Sequence, residues 1–187
     1  WLSAGPAAAQ IGSERYSALV LDARNGNVLI AANADEQRYP ASLTKMMTLY
    51  MLFEALRDGR VQLSTPIRMS EEAASRPPSK LGLRPGSTLT AEQAIYALVT
   101  KSANDVASAV GEHLGGDEER FAQLMTLRAR AIGMTRTTFR NASGLPDPNN
   151  VTTARDMATL GLRLIRDFPN RYHYFGTVQF AWGRQMI

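Results

Sequence analysis

The sequence predicts an α+β domain, and three observations carry that prediction. Apolar strand patterns joined by a hairpin turn lie near the start, a series of helical patterns fills the middle, and strand character returns near the end. No interval alternates strand and helix regularly, which argues against a repeating βαβ unit, and the chain has no internal repeat or low-complexity tract. With 44% of its 187 residues apolar, it can bury a core, and one domain with a subdomain suits the length.

The elements follow in order. Trp1 to Gln10 stand apart, with Ala7-Ala8-Ala9 ahead of Gln10 as at the cleavage end of a secretory signal peptide lacking its charged and apolar parts. Residues 1–12 are therefore expected to be a signal remnant or leader, and the protein to work outside the cytoplasm. Residues 13–187 are expected to form the domain, with a helical subdomain over about 64–150. Tyr16 to Asp22 reads as a strand, Asn25-Gly26 as a hairpin turn, and Asn27 to Ala32 as the returning strand. Pro40 closes the extended stretch, because the residue before a proline is pushed away from helix.

Ser42 to Arg57 is the strongest helix signal. Leu43, Met46, Met47, Tyr50, Phe53 and Leu56 keep helical spacing, and Leu49, Met51 and Leu52 are apolar too. A helix apolar nearly all round is buried on most sides, so this one is expected at the centre, ended by Asp58-Gly59. Thr90-Ala-Glu-Gln93 is a capping box opening a helix through Val99. Asn104 to Leu114 is a second helix, stopped by Gly115-Gly116, and Asp117 caps a third running to Ala131. Ser143 to Asn150 is rich in turn residues and reads as a loop. Thr153 to Asp167 is the last helix, and Phe175 to Trp182 has strand character.

Composition removes several classes of function. The net charge of +4 is scattered, with no basic block or aromatic-basic stripe, so no nucleic-acid partner is expected. The absence of cysteine excludes thiol catalysis, disulfides and the usual zinc sites. His113 and His173 lie far apart in no metal-binding pattern, so neither a metal site nor a Ser-His-Asp triad gains support. No cofactor is expected. No apolar run has membrane-spanning length, and any peripheral membrane attachment would come from chain outside these residues.

The chemistry centres on Ser42 and Lys45, three residues apart at the start of the apolar helix. That spacing puts both side chains on one face. A serine hydroxyl is a poor nucleophile until a base takes its proton, and lysine is that base only when neutral. Burial and the helix N-terminal dipole both disfavour the charged amine. Helix-start N–H groups could help hold an oxyanion. The chain prefers arginine, with lysine only at positions 45, 80 and 101. Arginine is effectively never deprotonated, so a lysine at position 45 suggests a need for a titratable amine. The competing reading makes Ser42 a helix cap and Lys45 a solvent-seeking side chain, and these two residues alone leave both open. A second element is Lys101-Ser102-Ala103-Asn104, a polar turn between helices. There Ser102 could relay a proton and Asn104 could hold an amide. A plain N-cap is the alternative.

Together, Ser42-x-x-Lys45 and Ser102-x-Asn104 resemble the penicillin-binding and serine β-lactamase superfamily, whose third signature is K-T-G. The likeness runs from about Tyr16 to Trp182. Pro40 to Thr48, Lys101 to Asp105 and Asn141 to Pro146 resemble the D-alanyl-D-alanine carboxypeptidases in particular. The resemblance implies a transpeptidase-like fold: an antiparallel sheet flanked by helices, with an all-helical subdomain. It implies that Ser42 is acylated, Lys45 accepts its proton, Ser102 is a second proton-transfer residue and Asn104 contacts substrate. It also implies a peptidoglycan stem peptide ending in D-Ala-D-Ala as substrate and β-lactams as covalent inhibitors. Class A β-lactamases place a deacylating glutamate after their second motif. No glutamate follows Glu119 here, so a peptidase is expected. The chain departs from the family in having no K-T-G. No lysine follows Lys101, and Phe175-Gly176-Thr177 lacks the cation. The expectation is a chain cut before that motif, with an incomplete sheet. A non-catalytic fragment and a hydrolase of another amide or ester stand as alternatives.

Overall fold

Helix α1, Thr44–Arg57, is the axis around which the chain is assembled, and its composition explains why. Met47, Tyr50, Leu52, Phe53 and Ala55 are fully buried, so the apolar residues that encircle the sequence pattern also encircle the helix in space. A computed structural model describes residues 15–183 and 185–187. The expected leader at residues 1–12 lies outside them.

Strands β1, Ala18–Leu21, and β2, Val28–Ala32, form an antiparallel hairpin, with Leu19 opposite Ala31 and an irregularity between Val20 and Leu21. The turn closes as Asp22 N–H donates to Asn27 O at 2.9 Å and Gly26, at φ +79°, donates to Asp22 O at 2.7 Å. The strand expected over Tyr16 to Asp22 is thus shorter by two residues at its start and by one at its end. β1 packs on α6, Ala154–Asp167, while Val28, Leu29 and Ile30 of β2 stay exposed.

The segment expected as the helical subdomain carries α2, Glu71–Ser75, α3, Ala91–Tyr96, α4, Asn104–Gly115, and α5, Glu118–Ala131. It also carries a small antiparallel pair, β3, Pro66–Arg68, and β4, Thr88–Thr90, with Ile67 opposite Leu89. The Thr90–Gln93 capping box forms, but α3 ends at Tyr96, and a π-helical turn, Ala97–Lys101, replaces the helix expected through Val99. Asp117 caps α5 by accepting from Arg120 N–H at 2.7 Å. Gly115 lets α5 approach α4: a Cβ there would lie 2.8 Å from the backbone nitrogen of Phe121.

The strand expected over Phe175 to Trp182 is a correction. Tyr172–Gly176 is a 3-10 turn, and only Ala181–Trp182, β5, pairs, with β6, Gln185–Met186. Aromatic packing overrides the strand preference of these residues. Tyr174 stacks on Phe53 at 6.2 Å and meets Tyr96 edge-on at 5.2 Å, and its hydroxyl donates to Glu92 at 3.0 Å. The sheets among the described residues are three separate two-stranded pairs.

Candidate active site

Three segments converge at the start of α1. The first carries Ser42, which lies not in the α-helix expected from that residue but in a 3-10 turn, Ala41–Leu43, immediately before it. Ala41 holds φ +47°, a left-handed conformation rare for a residue with a Cβ. Ser42 is exposed; Lys45, one turn on, is 4% exposed.

The second segment is the polar turn. The π-helical turn ends with Ser102 in the left-handed conformation, φ +54°. Its Oγ is buried and has no hydrogen-bond partner among the described residues. Asn104 opens α4. Its Oδ1 accepts from Lys45 Nζ at 2.8 Å, and its Nδ2 donates to Pro77 O at 2.9 Å. Asp105, fully buried, accepts from Leu81 N–H at 3.0 Å and Gly82 N–H at 2.9 Å, and Asn104 N–H donates to Ser79 O at 2.7 Å. The backbone of residues 77–82 is thereby tied to the start of α4.

The third segment is the loop after α5. Asn141 Oδ1 accepts from Gly144 N–H at 2.6 Å and Ser143 N–H at 3.2 Å, folding the loop back on itself. Thr48 Oγ1 donates to Ala142 O at 2.7 Å, fixing that fold to α1. Ser143 O then accepts from Lys45 Nζ at 2.6 Å. Gly144, at φ +83°, makes the fit possible, since a Cβ there would lie 1.8 Å from Ala41 O. Between Tyr39, Ala41, Gly144, Leu145, Pro146 and Pro148 lies a cavity of about 420 Å³ beside the turn that carries Ser42.

Lys45 is the electrostatic centre. Burial lowers its amine from 10.5 to about 8. A neutral amine has two N–H bonds and one lone pair. With Asn104 and Ser143 accepting the two N–H bonds, the lone pair is left available in a third direction. The sequence-predicted Lys45 and Asn104 therefore meet, although 59 residues separate them. Ser42 stands on the adjoining turn and is not a hydrogen-bond partner of Lys45 in this arrangement. The second acceptor, Ser143 O, is a backbone group in the loop reading and carried no signature of its own. The turn residues around it, Asn141 and Gly144, were the signal available.

Comparison with known families matches residues 4–186 to Peptidase_S11, described as D-alanyl-D-alanine carboxypeptidase. The chain belongs to this family. Among D-alanyl-D-alanine carboxypeptidases it is 33% identical over 162 residues to DacF of Bacillus subtilis (strain 168), covering 87% of this chain and 42% of that protein. Among solved structures it is similar to the D-alanyl-D-alanine carboxypeptidase DacD from Francisella tularensis, with TM-score 0.88 and 35% identity over 92% of this chain and 42% of that one. It is also similar to penicillin binding protein 5 from Haemophilus influenzae, with TM-score 0.86 and 31% identity over 91% of this chain and 50% of that one. The chain thus spans about half or less of these family members, and its fold is that of the penicillin-binding proteins.

Proposed function

We propose that this protein is a serine D-alanyl-D-alanine carboxypeptidase that removes the terminal D-alanine from peptidoglycan stem peptides through an acyl-enzyme on Ser42. The observation that carries the reading is Lys45: a buried amine with a lowered pKa, held by Asn104 and Ser143 O beside an exposed serine. Lys45 takes the Ser42 hydroxyl proton as Oγ attacks the penultimate carbonyl. The C–N bond to terminal D-alanine breaks, and the leaving nitrogen collects a proton, with Ser102 as the second proton-transfer residue. Water then releases the acyl group as a carboxylate and restores Ser42. Asn104 contacts the substrate while holding Lys45.

A β-lactam follows the same first step by opening its ring on Ser42. Its leaving nitrogen stays tethered beside the ester, where D-alanine would have departed and let water in, and no glutamate lies between Glu119 and Ile187 to activate water as in class A β-lactamases, so this ester is expected to persist. No residue of this chain is assigned to the substrate carboxylate. Peptidoglycan lies outside the cytoplasmic membrane, so the reading places the protein there.

Incubation with a fluorescent penicillin, followed by mass spectrometry, tests the assignment. Wild type is expected to carry one adduct on Ser42, and Ser42→Ala none. Release of D-alanine from a D-Ala-D-Ala peptide is expected to fall about a millionfold in that variant. An adduct that survives Ser42→Ala, or a labelled wild type modified elsewhere, would overturn it.

A further inference from the structure

Beneath the loop that supplies Ser143 O lies a buried cluster that the proposed reaction does not use. Glu118, the first residue of α5, is only 7% exposed. Its Oε1 accepts from Ala142 N–H at 2.9 Å. Its Oε2 accepts from Arg76 at 2.6 Å and from the buried Ser108 hydroxyl on α4. Arg76 also reaches Glu72 at 2.8 Å, and Ser70 joins Glu112 to the same corner at 2.8 Å. A buried carboxylate needs its charge balanced and its lone pairs filled. Arg76 and Ser108 provide that on one oxygen, which leaves the other to grip the loop.

The grip falls at a telling position. The Ala142 N–H is held by Glu118, and its C=O by Thr48. The next carbonyl, that of Ser143, holds Lys45. One peptide unit therefore separates the Glu118 contact from the lysine amine, on a loop already pressed against Ala41 at Gly144.

We propose that Glu118 is a positioning residue for Lys45: through Ala142 N–H it fixes the loop whose Ser143 carbonyl holds and covers the amine. The effect depends on the reach of an acceptor oxygen rather than on charge at Lys45, since the carboxylate acts through the loop backbone. The inference rests on the reading of Lys45 as the base, but the geometry has consequences of its own.

The test follows the Lys45 amine by NMR in the intact chain, where the two other lysines, Lys80 and Lys101, leave few signals to assign. Burial sets Lys45 near 8. In Glu118→Ala the loop loosens, water reaches the amine, and its titration is expected to rise by at least one pH unit. Glu118→Asp, which keeps the charge for Arg76 but withdraws the oxygen from Ala142, should move it the same way and serves if the alanine variant does not fold. Glu118→Gln keeps the length but puts an NH2 donor where one acceptor oxygen stood, so either Ala142 N–H or Arg76 loses its acceptor. Lys45 is expected to shift only if the Ala142 amide exchanges faster, and a shift without that change would count against the proposal. Ser108→Ala removes a partner of Glu118 without touching Ala142, so it should lower stability and leave Lys45 unmoved.

An unmoved Lys45 in folded Glu118→Ala or Glu118→Asp overturns the proposal, as does a shift in Ser108→Ala equal to theirs. Penicillin labelling of the same samples keeps the two readings distinct. A Lys45 shift in a wild-type background that takes no label sinks the carboxypeptidase and leaves the positioning role. Labelling with an unmoved Lys45 does the reverse.

Discussion

Replacing Lys45 with methionine is the most direct way to weigh the buried amine. The folded amine titrates at about 8 against an ordinary 10.5. The unfolded chain therefore binds more protons between those values, and stability attributable to Lys45 rises with pH across that window. Below the folded pKa both states are protonated and the full cost of burying the cation is present; above the ordinary value it is gone. From about pH 7 to about pH 10 the recovered stability comes to about 2.5 kcal/mol. The raw wild-type curve is not diagnostic, because burial raises the Tyr50 and Tyr174 phenols, and stability they contribute is lost as pH climbs past about 10. The difference between wild type and Lys45→Met cancels them. Methionine leaves Asn104 Oδ1 and Ser143 O without their donor, a cost of about 1–3 kcal/mol each that does not vary over this range. Urea denaturation of both proteins at several pH values gives the difference directly. A difference flat to about 0.5 kcal/mol, well below the expected change, would refute the claim that burial holds the amine down. Under the proposed mechanism, with Lys45 as the base, acylation by penicillin is expected to depend on pH. About a tenth of the amine is neutral at pH 7, so the rate should climb roughly tenfold per unit below that and level off above about 8.

Two substitutions probe how the site is held. Gly144→Ala combines a left-handed backbone costing about 1–2 kcal/mol with a Cβ 1.8 Å from Ala41 O. It should destabilise the chain by more than about 4 kcal/mol or displace the Ser42 turn and abolish penicillin labelling; a stable, normally labelled variant would count against the fit. Asp105→Ala strips the acceptor from the Leu81 and Gly82 N–H groups, and should cost about 2–5 kcal/mol in urea denaturation with faster hydrogen exchange at those two amides; unchanged exchange would show that the 77–82 backbone is held by something else.

The parts of the molecule legible in the sequence were those with dense local rules. The apolar circumference of α1, the Thr90–Gln93 box and the Asp117 cap are all read within a few residues, and each is present. Ser42, Lys45, Ser102 and Asn104 were visible as residue types at short spacing. That Lys45 and Asn104 would touch was not, because closure across 59 residues is a property of packing. The pair β3 and β4 went unseen because three-residue strands such as Pro66-Ile-Arg show no period. Phe175 to Trp182 misled for the opposite reason. Its aromatic residues favour strands in general, and here they are claimed by Phe53 and Tyr96. Glu118 is one of two adjacent acidic residues in the first turn of α5, and burial distinguishes it from the exposed Glu119.

The meeting of Ala41 and Gly144 has a consequence for how such a chain can diversify. Two backbone positions in distant segments share one small volume, so neither can accept a larger neighbour without the other yielding first. The rest of the cavity they border is lined by Tyr39, Leu145, Pro146, Asp147, Pro148 and Asn150. Variation is thus channelled. A library built on this chain should find almost no survivors at position 144 and many at 39 and 145, so that the outer wall of the cavity is free to change while the rim beside the Ser42 turn stays as it is.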